Sequence, residues 1–318
     1  MKKFCVYLLI LFLFSCNKNN KEDLHPFQRA ESYNGSIELS VEEKLLPTPL
    51  KIIDYLNELD NVSIYSAYEL KNTEKELFIN YYNLIPIKYQ DIISKNVLGI
   101  YFINNFLGGG MTLSVFDNKE KMYIVLFFNP DILNQNITNW INYRDNSIFS
   151  DNEEINIMVN CNSEYKALIH TLLHEASHIY DFCNFVTPYT EKFQKNKQTI
   201  FPTDFIKGIW DDFDEPKNEY NYKNRENISF YDLGKRIDKM NAIEIYSSLK
   251  TTPFSSLYAS KTWAEDFAEC FTWYYLKNYC ETDYTTEIIQ GNKTIFIYNP
   301  NDNDLIQSRY KIFEDIIK

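Results

Sequence analysis

Between Ser163 and Asp181, apolar side chains recur at Tyr165, Leu168, Ile169, Leu172, Leu173, Ala176 and Ile179. That spacing closes on one face of an α-helix. Ser163 is expected as its N-cap, with Glu164 in the first turn. So apolar a helix has to be buried, yet it carries His174-Glu175-Ala176-Ser177-His178 and with it two of the chain's four histidines. Any fold available to this chain must therefore wrap a core around the helix and also provide partners for its imidazoles.

Two histidines four residues apart rise about 6 Å along one helix face, so both rings can converge on a single ion. Glu175 is rotated off that line, towards where a metal-bound water would sit, and there it could act as general base. This is the HExxH pattern of zinc hydrolases, and chance would produce it in a chain like this on the order of a few times in a thousand. The plainer alternative is two core or surface histidines beside an ordinary helical glutamate. His170 shares the stripe but lies eight residues, or about 12 Å, from His178, too far for both to bind one ion through bonds of about 2 Å. It is assigned to a supporting place behind the ligands or to packing. Only His25 remains, in a polar N-terminal stretch, so a three-histidine site is excluded and the third ligand must be a carboxylate or a thiolate.

The best candidate is the segment Thr262 to Phe271, where Ala264, Phe267, Ala268 and Phe271 form an apolar helix face with Glu265 and Glu269 one turn apart. A carboxylate facing such a surface is costly unless it is paired. Glu265 is therefore assigned to the metal, and Glu269 to holding His174 from behind. A competing use exists, because Thr262-x-x-Glu265 is also a capping box that would spend Glu265 on a backbone amide. One zinc ion per chain is expected.

The rest of the chain supplies a mixed set of elements. Helices are expected near Leu50 to Leu59, Glu74 to Ser94, Trp263 to Lys277 and Asp304 to Ile317. Val97 to Ile103, Met111 to Phe116 and Met122 to Phe128 are strand-like runs separated by Gly108-Gly109-Gly110 and Asp117-Asn118-Lys119, which suggests an antiparallel meander. Ile155 to Val159 adds a strand, and Gly291-Asn292 a hairpin turn. An extended peptide could pair with an open strand edge, for which Met122 to Phe128 is the candidate unless that strand is central. Asn184 to Ser256 resists parsing; the acidic residues Asp211, Asp212, Asp214 and Glu215 there suit a solvated loop better than a calcium site.

At the N-terminus, Lys2 and Lys3 precede an apolar run from Phe4 to Phe14 that is short for a bilayer span. It ends at Leu13-Phe14-Ser15-Cys16, which resembles a bacterial lipobox apart from Phe14. Residues 1–16 are expected as a signal peptide with Cys16 lipidated. The alternative is a plain secretory signal with an incidental cysteine. A tether over 17–48 and one metallopeptidase domain over 49–318 would follow, its motif core being 95–280. Lys21-Glu22-Asp23 resembles the acidic motif that sends some lipoproteins to the outer face, which implies the cell envelope, on the outer membrane and exposed at the surface. Loss of Lys2 and Lys3 would take the net charge from -12 to -14. Neither nucleic acid nor an anionic membrane surface would be attracted. Cys161, Cys183, Cys270 and Cys280 could pair in three ways or remain free thiols.

His174-Glu175-x-x-His178-x-x-Asp181, followed by Tyr258 and then Glu265-Asp266-Phe267-Ala268-Glu269, resembles the gluzincin-type peptidases related to anthrax lethal factor and the Pro-Pro endopeptidases. The resemblance covers roughly residues 95–280, and its specific part is the two motif helices. It implies Glu265 as third zinc ligand, Tyr258 as the hydroxyl that steadies the oxyanion, and Asp181 as a supporting carboxylate. Ala176-Ser177 and Asp266 depart from the family pattern, which weakens any transfer of substrate preference. The implied fold is α+β: a small antiparallel sheet over the HExxH helix, zincin-like, with helical flanks. The implied activity is zinc-dependent cleavage of peptide or protein substrates. A rival class is a lipid-anchored binding module whose zinc site is structural or inactive, with Cys183 or Cys270 as a further ligand. A metal-dependent hydrolase acting on something other than peptide would use the same residues.

Overall fold

A computed structural model describes residues 25–190 and 202–317; the expected signal peptide, Cys16 and the first part of the tether lie outside them. The fold is mixed α and β, with helices and several small sheets. Where one domain was expected over 49–318, the chain divides into two compact units that meet in sequence at Asn134 and Gln135. No helix among the described residues is long and apolar enough to cross a membrane.

The first unit begins earlier than the sequence suggests. His25 caps a short 3-10 turn, its Nδ1 accepting from the Phe27 amide, and Phe27 and Tyr33 are buried against Phe127. Residues 25–48 are thus part of the fold rather than a spacer, because these rings have core to cover. Strand β1 (Leu45–Leu46), helix α1 (Leu50–Leu59) and strand β2 (Ser66–Tyr68) follow. The helix expected over Glu74 to Ser94 is two, α2 (Asn72–Tyr82) and α3 (Ile87–Asn96). The break is at Pro86, whose missing N–H and ring clash end one helix and start the next.

Strands β3 (Val97–Asn104), β4 (Gly110–Phe116) and β5 (Met122–Phe128) do not form a meander. The sheet order is β1-β3-β5-β4, with β2 also on β3. β5 pairs parallel to β3 and antiparallel to β4. Burial explains the order. β3 is buried along nearly its whole length and β5 from Ile124 onward, the pattern of central strands covered on both faces. β4, half-buried from Gly110 to Thr112 and again at Phe116, takes the outside. Met122 to Phe128 is therefore central and offers no edge to a peptide.

The second unit holds both motif helices. It comprises α4 (Ile137–Asn146), β6 (Phe149–Ser150), β7 (Ile155–Asn160), α5 (Ala167–Asn184), β8 (Trp210–Asp212), β9 (Glu215–Pro216), β10 (Ile237–Asp238), α6 (Ala242–Leu249), α7 (Trp263–Tyr279), β11 (Thr285–Gln290), β12 (Lys293–Tyr298), α8 (Asp304–Gln307) and α9 (Glu314–Ile317). β12, β11 and β7 form an antiparallel sheet whose hairpin turns at Gly291, at φ 58°. The C-terminal stretch is several short turns rather than one helix.

α5 starts at Ala167, with Lys166 as N-cap, not at Ser163. Tyr165 and Ala167 are bonded in extended fashion to Ile137 and Gln135. Ser163 instead accepts from the Tyr165 amide and from the Thr282 hydroxyl. The apolar stripe predicted for α5 is buried without remainder from Leu168 to Ile179. α7 packs on it through Phe267, whose ring stacks on Tyr180. Each such side chain contributes roughly 1.5–3 kcal/mol on full burial, which is what holds two polar-studded helices face to face.

Candidate metal centre

α5 brings His174 and His178 to one side, their Nε2 atoms 3.1 Å apart. From α7, Glu265 Oε2 reaches to 3.1 Å from His174 Nε2 and 3.5 Å from His178 Nε2. Thr262 caps α7 by accepting from the Glu265 amide at 3.1 Å. The cap therefore uses the backbone of Glu265 and leaves its carboxylate for the histidines. These three residues can hold a metal ion, and they are the one such group among the described residues. Ligands bonded at about 2 Å around a tetrahedral ion lie about 3.3 Å from one another, close to all three separations. Glu265 Oε2 is buried with no hydrogen-bond partner of good geometry, an orphaned acceptor that a cation would satisfy. Two imidazoles and one carboxylate suit zinc and leave a fourth position open.

The electrostatics agree with a site built for positive charge. Burial opposes the charge on Glu265, but the two histidines outweigh it and hold its carboxyl down to about 2. Burial likewise opposes an imidazolium at His174, yet Glu265 and Glu269 lift it to about 10.

Behind His174, Glu269 is fully buried, and its Oε1 lies 3.3 Å from His174 Nδ1. The same oxygen is 3.3 Å from His170 Nε2 and accepts from Arg144 Nη1 at 2.9 Å. Its Oε2 accepts from Ser256 Oγ at 2.6 Å and from Trp273 Nε1 at 3.1 Å. His170 is no ligand; it packs on Trp273 with ring centroids 4.9 Å apart, and burial pushes it down to about 4.

Glu175 is buried, and its carboxylate is close enough to His174 and Tyr258 to act on both electrostatically. The Tyr258 ring stands 5.7 Å from that of His174, edge to face, and is held against Phe230 at 4.8 Å. Burial and the nearby Glu265 push its hydroxyl well above the usual range, so it stays a proton donor. Asp181 is buried, and His178 acts on it electrostatically. It accepts from the Thr187 amide and hydroxyl, both at 2.6 Å, fastening the chain after α5 turns out through Phe185 at φ 52°. Burial raises its carboxyl to about 7.

The odd residue of the α7 motif, Asp266, points away from the metal ligands. It is buried against Arg309, whose two terminal nitrogens donate to it at 2.9 and 2.6 Å, and it accepts from Trp210 Nε1. Asp211 pairs with Lys217, and Asp212 accepts from the Tyr189 hydroxyl, so these acids of the 211–215 cluster are satisfied without calcium. Cys161, Cys183, Cys270 and Cys280 are free, none joins the metal group, and burial raises Cys270 to about 12. Sequence reasoning missed Arg144, Ser256 and Trp273. Trp273 had a usable signal, one turn after Glu269 on the same helix.

The arrangement defines a class of site: a helix-borne pair of histidines completed by a carboxylate from a second helix, with a buried glutamate and a tyrosine hydroxyl beside it. Compared with known proteins, the chain matches no family model, no curated protein and no solved structure.

Proposed function

We propose that this protein is a zinc-dependent endopeptidase with a zincin-like catalytic unit of the gluzincin type. The observation that carries the proposal is the convergence of His174, His178 and Glu265 at spacings of 3.1 to 3.5 Å, with Glu175 next to them in sequence and buried in the same place. Zinc bound there would bring the pKa of its water to about 7 and polarise the scissile carbonyl. Glu175 takes the proton of the attacking water and returns it to the leaving amine. Tyr258 donates its hydroxyl to the oxygen on which negative charge develops. Glu269 Oε1, 3.3 Å from His174 Nδ1, would draw the imidazole proton to Nδ1 and so favour the tautomer that leaves Nε2 free as a ligand.

A purely structural site would close its fourth position with protein and would have no use for a base such as Glu175. Among the described residues, Cys161, Cys183, Cys270 and Cys280 stand outside the metal group, so none of them closes it with a thiolate. Metal analysis of purified wild type and Glu265→Ala tests the ligand set. One zinc per chain in the former and marked loss in the latter are expected, whereas unchanged occupancy would refute the assignment. Peptide-library cleavage by the wild type tests the activity, and a fully zinc-loaded but inert protein would favour a binding module.

The lipobox-like Leu13-Phe14-Ser15-Cys16 supports a further element of the proposal, that Cys16 carries a lipid. The enzyme would then work from the cell envelope, anchored to the outer membrane and facing outward.

A further inference from the structure

Arg144 lies on α4, far in sequence from either motif helix, and is only 2% exposed. A buried guanidinium is tolerated where its charge is paired, and here Nε, Nη1 and the guanidinium plane each meet a group of the site, while Nη2 is buried without a hydrogen-bond partner. Nε donates to Asp145 Oδ1 at 2.9 Å. Nη1 donates at 2.9 Å to Glu269 Oε1, the same oxygen that faces His174 Nδ1. The guanidinium carbon sits over the Tyr258 ring, 5.2 Å from its centroid, within cation–π range. One side chain therefore touches both the carboxylate that orients a metal ligand and the ring that carries the oxyanion donor.

The connections behind these contacts close a loop. Glu269 is also held by Ser256, whose Oγ accepts from the Ala259 amide at 3.0 Å. That fixes the turn on which Tyr258 lies. Asp145 is pinned in turn by the Tyr284 hydroxyl at 2.8 Å. Were the guanidinium removed, Asp145 and Glu269 would be two buried carboxylates with no cation between them, and the Tyr258 ring would lose the plane beneath it. Lysine could return the charge but not the planar fork that serves two carboxylates and a ring at once.

We propose that Arg144 is the positioning residue of this site, coupling the orientation of His174, through Glu269, to the placement of Tyr258. It touches neither metal nor substrate, and it rests on the function proposed above.

The test compares wild type, Arg144→Lys and Arg144→Met in zinc affinity, kcat, KM and thermal melting. Zinc affinity is measured by titrating metal-free protein against a competing chelator, which needs no turnover. Loss of the hold on His174 should weaken zinc by about 10- to 100-fold in Arg144→Met. At saturating zinc, the loosened Tyr258 should lower kcat at least about tenfold with KM little changed. Arg144→Lys should keep a cooperative melt but recover neither quantity in full. Wild-type zinc affinity and kcat in a folded Arg144→Lys or Arg144→Met would overturn the proposal. So would failure of both variants to fold, since the role would then be structural. The parent hypothesis fails separately: a wild type that neither binds zinc nor cleaves peptide would refute the enzyme itself, whereas an active wild type with unaffected variants would refute only Arg144.

Discussion

Glu175 and Tyr258 separate an enzyme from a metal-stabilised shell, because neither belongs to the metal group while both crowd it. Glu175→Ala should abolish most hydrolysis yet keep its zinc. Tyr258→Phe removes one donor and little volume, so the loss should fall on kcat, by about 10² to 10³ if this hydroxyl behaves as other oxyanion donors do. Cleavage assays paired with metal analysis read both, and full activity in Glu175→Ala would sink the proposed mechanism. Tyr258 came only from the family resemblance, whereas Glu175 and the candidate ligands were legible in the sequence because their relations are local. His174, Glu175 and His178 share one helix turn, and Glu265 and Glu269 share another. Arg144 was not legible. Its partner Glu269 is 125 positions away, and its own helix, whose buried apolar residues are Ile137, Trp140 and Ile141, has no spacing that points to a metal. Asp181 was found by resemblance, and in the folded chain it also fastens Thr187.

At the scale of elements, α7 does two jobs with adjacent residues. Glu265 faces the histidines while Asp266 faces the C-terminal segment, and the second job protects the first by fixing the helix's rotation. Arg309 meets Asp266 through both terminal nitrogens, in a pair almost without exposure. Arg309→Ala would strand a buried carboxylate and should cost about 3–5 kcal/mol, whereas replacing both partners by apolar residues of similar volume should restore much of the stability. Denaturant melts of the single and double variants check this, and a single-variant loss below about 1 kcal/mol would show that the pair contributes no more than a surface ion pair. Element types were readable from periodicity, whereas their partners were not. The β3–β4–β5 run looks like a meander from turn spacing alone, yet β5 slips between its predecessors, since two strands buried on both faces are covered best in the middle of a sheet. The Glu74 to Ser94 pattern held a readable break at Pro86 that helical periodicity masked.

For the molecule as a whole, the prediction concerns where it is held. Cys16→Ser should move the protein from the membrane fraction to the soluble fraction. Mass spectrometry that finds no acyl chain on the wild-type cysteine would end the anchor hypothesis. The charge of -12 makes electrostatic adhesion to an anionic bilayer a poor substitute for a lipid. The contact between Asp266 and Arg309 also has a bearing on chronology. The histidines are translated well before their carboxylate partner, and the arginine that fixes the rotation of the carboxylate's helix comes later still. A chain emerging from a ribosome, or threading through a translocon, would carry both histidines long before it could close the site around an ion. On the function proposed, a chain assembled in that sequence would be harmless during its own manufacture, and would close around its metal only when nearly all of it had been made.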